Sequence, residues 1–169
     1  KYTVLRTGKL RSSVVLTVTL KAIPLAELSK TVIRIDEAAN GVLNVDELIG
    51  DATVRLGTWP FIARDQPVWL RLLGNKPDGT AHNLTLLNGA QGDRVSDGWL
   101  NQGYQLLTVL NTYLRDLGNG TRLSMQFKVA LNHSTDEWKA LEFPVVTYSI
   151  LSLLISDKTP FTGGFMNGW

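Results

Sequence analysis

Apolar and polar residues alternate along residues 122–131, where Leu123, Met125, Phe127, Val129 and Leu131 are interleaved with Arg122, Ser124, Gln126, Lys128 and Ala130. A two-residue period is the signature of a strand with one face in a core and the other toward water. Residues 11–20 repeat the pattern, with Val14, Leu16, Val18 and Leu20 on one face and Ser13, Thr17 and Thr19 largely on the other. Their Val and Thr density suits a pleated surface. Shorter strands are predicted over residues 31–36, 51–56, 68–73, 81–87 and 141–150. The turn sequences Asn40-Gly41, Pro77-Asp78-Gly79 and Asn119-Gly120 punctuate them, each supplying a residue that tolerates positive φ. One segment breaks the pattern. Over residues 108–117 the spacing predicts a short helix, because Leu106, Val109, Leu110, Tyr113, Leu114 and Leu117 fall near one stripe and Gly118 follows as a C-cap. Strands recurring without long helices between them predict an all-β fold, an antiparallel β-sandwich with one short helical connection.

An internal echo bears on domain organisation. Residues 13–20 align with residues 124–131, Val18 falling over Val129, and Ile23-Pro24-Leu25 resembles Phe143-Pro144-Val145. Short strands match by chance as readily as by repetition, and both readings stand. On the repeat reading, residues 1–27 are the closing strands of a preceding module or an N-terminal extension, residues 28–150 a complete module, and residues 151–169 a linker into a following domain. The opening at Lys1, without a signal-peptide pattern, and the Asn-Gly-Trp ending both read as cuts through a longer polypeptide.

Composition narrows the function classes. With 44% hydrophobic and 19% charged residues, the chain can bury enough apolar surface to offset the entropy of ordering. It has no cysteine, which removes disulfides, thiolate metal sites and a cysteine nucleophile. The formal charge of +2 comes from 17 basic and 15 acidic residues spread along the chain, with no basic run to follow a phosphate backbone, so nucleic acid is not an expected partner. The most apolar run, residues 150–155, falls far short of the roughly 20 residues a membrane span needs.

Candidate chemistry is sparse. Residues 36–47 can be set against a twelve-residue calcium loop, with Asp36, Asn40, the Val42 carbonyl, Asn44 and Glu47 as ligands and Gly41 at the sharp turn; Ala38 stands where a further oxygen ligand belongs. The alternative for this stretch is a polar hairpin turn bearing solvated carboxylates. His82 falls in a strand pattern and His133 in a turn, neither with an evident nucleophile to serve. Glu137 and Glu142 are the nearest approach to an acid pair, which a glycosidase would need opposed across a cleft. Of the five tryptophans, Trp69 reads as packing, whereas Trp99 and Trp138, in Gly- and Asp-rich settings, are the candidates for an exposed ligand platform.

The segment Trp59-Pro60-Phe61-Ile62-Ala63, followed by Gln66, Val68-Trp69-Leu70-Arg71, Gly74 and Asp78-Gly79-Thr80, resembles a repeat of large bacterial proteins found in pseudomonads and their relatives. Further matches follow in order at Leu114, Leu117 and Gly120, then Phe127-Lys128-Val129, then Phe143-Pro144 and Thr147-Tyr148. The resemblance implies an immunoglobulin-like antiparallel β-sandwich, and a non-catalytic spacer or adhesive role in a larger surface or secreted bacterial protein. It implies an extracellular or cell-surface location, with neighbouring modules of the same chain and a cell-surface glycan or protein as partners. It implies no cofactor; calcium enters only through the loop at residues 36–47. The rival reading is a carbohydrate-binding module that uses exposed tryptophans.

Overall fold

The longest strand among the described residues, β9 (Arg122–Val129), follows the alternation read from the sequence. Leu123, Met125, Phe127 and Val129 are each no more than 1% exposed, and the residues between them face outward. The computed structural model describes residues 3–6, 9–12 and 22–153. Within these, β1 (Thr3–Arg6) pairs antiparallel with β2 (Lys9–Ser12). The strand expected over residues 11–20 meets the described residues only at Arg11 and Ser12; the remainder, and the echo drawn from it, lie outside them.

The chain then runs through α1 (Leu25–Leu28), β3 (Ile33–Ile35), β4 (Val42–Asn44), β5 (Ala52–Leu56), β6 (Val68–Leu73) and β7 (Leu84–Asn88). After these come α2 (Asp97–Gln102), β8 (Gln105–Val109), α3 (Asn111–Arg115), β9, β10 (Leu141–Glu142) and β11 (Val146–Leu151). Single 3-10 turns occupy Val45–Glu47, Gly89–Gln91 and Glu137–Lys139. The larger sheet has the order β4-β11-β9-β6-β7, with β10 also on β9, and the smaller has the order β3-β5-β8. Every pairing is antiparallel except β4 with β11, which is parallel. Both sheets turn their apolar faces into one cluster that includes Ile35, Val54 and Leu56 from one and Leu70, Phe127 and Ile150 from the other. The molecule is thus a mostly-β, sandwich-like body.

Several local choices have plain causes. Pro144 has no N–H to give to a ladder, so the strand expected over residues 141–150 is split into β10 and β11 on the same side of β9. Asn40 (φ 51°) and Gly41 (φ 76°) both take the left-handed conformation of a type I′ turn, and Ala39 and Val42 exchange backbone hydrogen bonds of 2.9 Å across it. Trp69 faces away from the shared core yet is 1% exposed, because the turn at Gly89 lies against it. A Cβ on Gly89 would come within 2.9 Å of the indole, so only glycine allows this approach.

The helix expected over residues 108–117 is corrected. Val109 closes β8, which pairs along its whole length with β5, and only Asn111–Arg115 is helical. The helical stripe was drawn across a strand–helix junction, so Leu106 and Leu110, which it would bury, are 42% and 57% exposed. Pairing with β5 and the hydrogen bond from the Asn111 N–H to Asp51 Oδ1 (2.8 Å) fix the junction instead. Among the described residues three short α-helices occur, of which only α3 falls within the segment expected to be helical.

Candidate functional site

The outward face of the larger sheet carries the most organised polar cluster. On β6 and β9, Trp69 sits opposite Lys128 and Arg71 opposite Gln126, which sets Arg71 and Lys128 on one side of the sheet. The chain leaving β9 returns over them through the turn Glu137–Lys139, which is started by Asp136 as its side chain accepts the Trp138 N–H at 3.1 Å. Glu137 is thereby lowered onto both cations. Its carboxylate accepts a forked pair from the Arg71 guanidinium, Nη1 to Oε1 and Nη2 to Oε2 (2.6 Å), and a third bond from Lys128 Nζ at 3.1 Å. The three side chains are between 23% and 31% exposed, so the surrounding water screens this network only in part. Next to it the Trp138 ring stands 97% exposed, and a recess of about 130 Å³ is lined by Lys128, Glu137 and Trp138.

Hydrogen bonding from Arg71, reinforced by Lys128, outweighs burial and holds the Glu137 carboxyl at about 2, against an ordinary value of 4.5. The folded state therefore binds this proton less readily than the unfolded chain. The stabilisation is complete above the unfolded value and is lost as pH falls from about 4.5 toward about 2. Melting temperature measured across that window should fall for the parent chain and fall less for Glu137→Gln, which has no proton to take up. A carboxyl this acidic is ionised throughout the neutral range, which removes Glu137 from the role of general acid.

Of the two tryptophans expected on the surface, Trp138 is exposed and Trp99 is not. Trp99 is 2% exposed, meets Trp59 edge-on at 5.3 Å between ring centroids, and donates from Nε1 to the Gly57 carbonyl at 3.0 Å. Ser96 caps α2 by accepting the Trp99 N–H at 3.1 Å, and that cap turns the indole inward. The expectation of an exposed Trp99 platform is corrected accordingly, and the structure does not bring the two rings together at one surface.

The residues of the calcium-loop reading are distributed along the β4 hairpin and the turn after it. Both Asp36 oxygens are engaged by Arg55 (Nη2 to Oδ2 2.7 Å, Nε to Oδ2 3.0 Å and to Oδ1 3.1 Å), and Arg34 Nε adds a bond to Oδ1 at 2.9 Å. The Arg55 hydrogen bonds, with those of Arg34, draw the Asp36 carboxyl below its usual range. Asn40 forms the turn, the Val42 carbonyl accepts the Ala39 N–H, and Asn44 Oδ1 accepts the Asp46 N–H at 3.1 Å. Glu47 lines an open recess of about 320 Å³ with Asn44, Glu37 and Asp51. Glu37 and Asp51 are spent on the backbone N–H groups of Thr53 and Asn111, each at 2.8 Å. Among the described residues no three His, Asp or Glu side chains are grouped so as to hold a metal ion.

The histidines are placed apart. His82 stacks on Tyr113 at 4.5 Å, with the Tyr113 hydroxyl donating to the His82 carbonyl at 2.7 Å and His82 Nε2 lying 3.2 Å from the Tyr113 carbonyl. Burial pushes the Tyr113 hydroxyl up to about 12. His133 Nε2 lies 3.0 Å from the Arg64 carbonyl. The Gln66 side chain, 2% exposed and named from the sequence only as part of the resemblance, organises a loop. It accepts from Ala63 N–H at 3.0 Å and donates to the Phe61 carbonyl at 3.0 Å, holding Phe61 at φ 66°.

No family model, no curated protein and no solved structure matches this chain.

Proposed function

We propose that the chain is an immunoglobulin-like module with a non-catalytic spacer or adhesive role in a larger bacterial surface or secreted protein. The strand distribution supports the class: β5 and β8 in one sheet, with β6, β9, β11 and β7 in the other, parallels the immunoglobulin division of B and E from C, F, G and C′. The observation that carries the role is the parallel pairing of β4 with β11, in which Val42, Leu43 and Asn44 lie beside Ser149, Ile150 and Leu151. Parallel neighbours near the start and close of the module make the polypeptide enter at one end of the body and leave at the other, as serial modules require. A pull along the chain then loads the β4–β11 hydrogen bonds in shear, all at once rather than in turn.

Stretching single molecules of a concatemer built from this chain should show one cooperative rupture per copy. Gradual extension, with strands peeling off in sequence, would remove the support for a spacer under load.

A second reading, binding of a carbohydrate, is favoured by Trp138. A flat apolar ring exposed beside one carboxylate and two cations is a surface on which a sugar face can stack while its hydroxyls find partners. On a glycan array, any binding by the parent chain should vanish in Trp138→Ala, whose stability should stay within about 0.5 kcal/mol of the parent. Binding that survives the substitution would place the sugar elsewhere.

A further inference from the structure

We infer that the edge of β8 left unpaired among the described residues is a docking edge for β8 of a second copy of this chain. The backbone parity of the smaller sheet leads there. On β5, Thr53 and Gly57 face β3, because the Thr53 carbonyl accepts from Asp36 N–H at 2.9 Å and Gly57 N–H donates to the Val32 carbonyl at 2.7 Å. An antiparallel strand turns its backbone groups to alternate sides, so those of Ala52, Val54 and Leu56 face β8, where they meet Val109, Leu107 and Gln105. The same alternation sends the N–H and C=O groups of Leu106 and Thr108 outward. Among the described residues no backbone group pairs with them, and the Leu106 carbonyl accepts only from the neighbouring Gln105 amide, at 3.1 Å.

Other edges of the two sheets are blunted. The outward Ile35 N–H of β3 is taken by the Tyr148 hydroxyl at 3.0 Å. The β6–β7 ladder is bulged at Leu70 and Arg71, and the Asn88 N–H of β7 is taken by Asp93 Oδ2. The β4 strand is only three residues long. The β8 sequence Gln-Leu-Leu-Thr-Val has no charge, no proline and no bulge, the devices that normally keep an edge from pairing.

The occupant follows from self-complementarity. With Leu107 on a two-fold axis, Leu106 lies opposite Thr108 of the second copy and Thr108 opposite its Leu106. Both are residues whose backbone groups point outward, so each pair exchanges N–H···O=C bonds in both directions. On the outer face an exposed Leu106 meets a threonine, and no like charges are opposed within the strand. The smaller sheet grows from three strands to six. The contact is small, which places the dimer among weak associations.

Sedimentation of the full chain from about 10 µM to about 1 mM should show a growing dimer fraction. Over the same series, amide exchange at Leu106 and Thr108 should slow with concentration. The double substitution Leu106→Lys with Thr108→Lys sets lysine against lysine across the axis, and should remain monomeric with the parent's melting temperature at low concentration. A chain that stays monomeric throughout, or a double variant that associates as the parent does, overturns the proposal. So does protection of both amides at every concentration in a monomer, which would assign the edge to another segment of the same chain.

Discussion

Trp99→Ala is expected to lower folding stability by about 3–5 kcal/mol, the usual cost of deleting a large buried aromatic side chain. The indole is 2% exposed and meets Trp59 edge-on, with Phe127 at 6.4 Å between centroids on another side. Trp59 in turn packs on Phe127 and Phe143, at 5.5 and 5.7 Å, so the substitution opens a void beside a connected group of four rings. It also strips the Gly57 carbonyl of its Nε1 donor. That carbonyl closes the end of β5, whose Gly57 N–H is tied to Val32, so the loss reaches the β3–β5 ladder as well as the core. Chemical denaturation measures the effect, and Trp138→Ala is the control because its ring is almost wholly in solvent. Equal and small losses in the two variants would show that the ring cluster does not hold the sheets together.

The contrast between these tryptophans shows where sequence pattern ran out. Asp97-Gly98 precedes Trp99 and Asp136-Glu137 precedes Trp138, and both settings read as exposed turns. The structure uses the two settings differently: Ser96-Asp97-Gly98 begins a helix with Trp99 on its inner side, whereas Asp136-Glu137-Trp138 begins a 3-10 turn on the outer face. The serine cap before Asp97 and Gly103 closing α2 in the left-handed conformation were the available signals for burial of Trp99.

Strands β6 and β9 were legible because one buried face alternates with one wet or covered face. Strand β8 was not, because Leu106, Val109, Leu110 and Tyr113 also satisfy helical spacing, and only its partner β5 decides between the two. Strand β4 was hidden inside the twelve-residue pattern that suggested a calcium loop. The Asn40-Gly41 turn was read correctly as a turn, and the pairing of its C-terminal arm with β11 is a contact across more than a hundred residues. The Arg71–Glu137–Lys128 cluster has the same character. Alternation puts Arg71 and Lys128 outward, but nothing local brings Glu137 back over them. What the sequence carries is which face each residue takes; which distant residue meets it is settled by sheet order.

Tyr148→Phe is expected to cost about 1–3 kcal/mol, although it removes a single oxygen. Tyr148 belongs to β11 in the larger sheet, is 7% exposed, and accepts the Ile35 N–H of β3 in the smaller sheet at 3.0 Å. Parity on β3 explains why that donor is available: Arg34 and Asp36 turn their backbone groups toward β5, so Ile35 turns its own away. With phenylalanine the buried amide has no acceptor, and the ring's apolar packing does not compensate a donor withdrawn from water. Burial pushes the phenol upward from its usual value, outweighing the opposite pull of the Ile35 N–H bond, so the acceptor at neutral pH is the hydroxyl rather than a phenolate. Chemical denaturation of Tyr148→Phe gives the magnitude, and amide exchange locates it. The Ile35 N–H should exchange faster in the variant, while Leu123 and Phe127 in the middle of β9 keep the protection set by global unfolding. A variant as stable as the parent, with Ile35 still protected, would mean that the sheets are joined by apolar packing alone and that the hydroxyl is incidental to it.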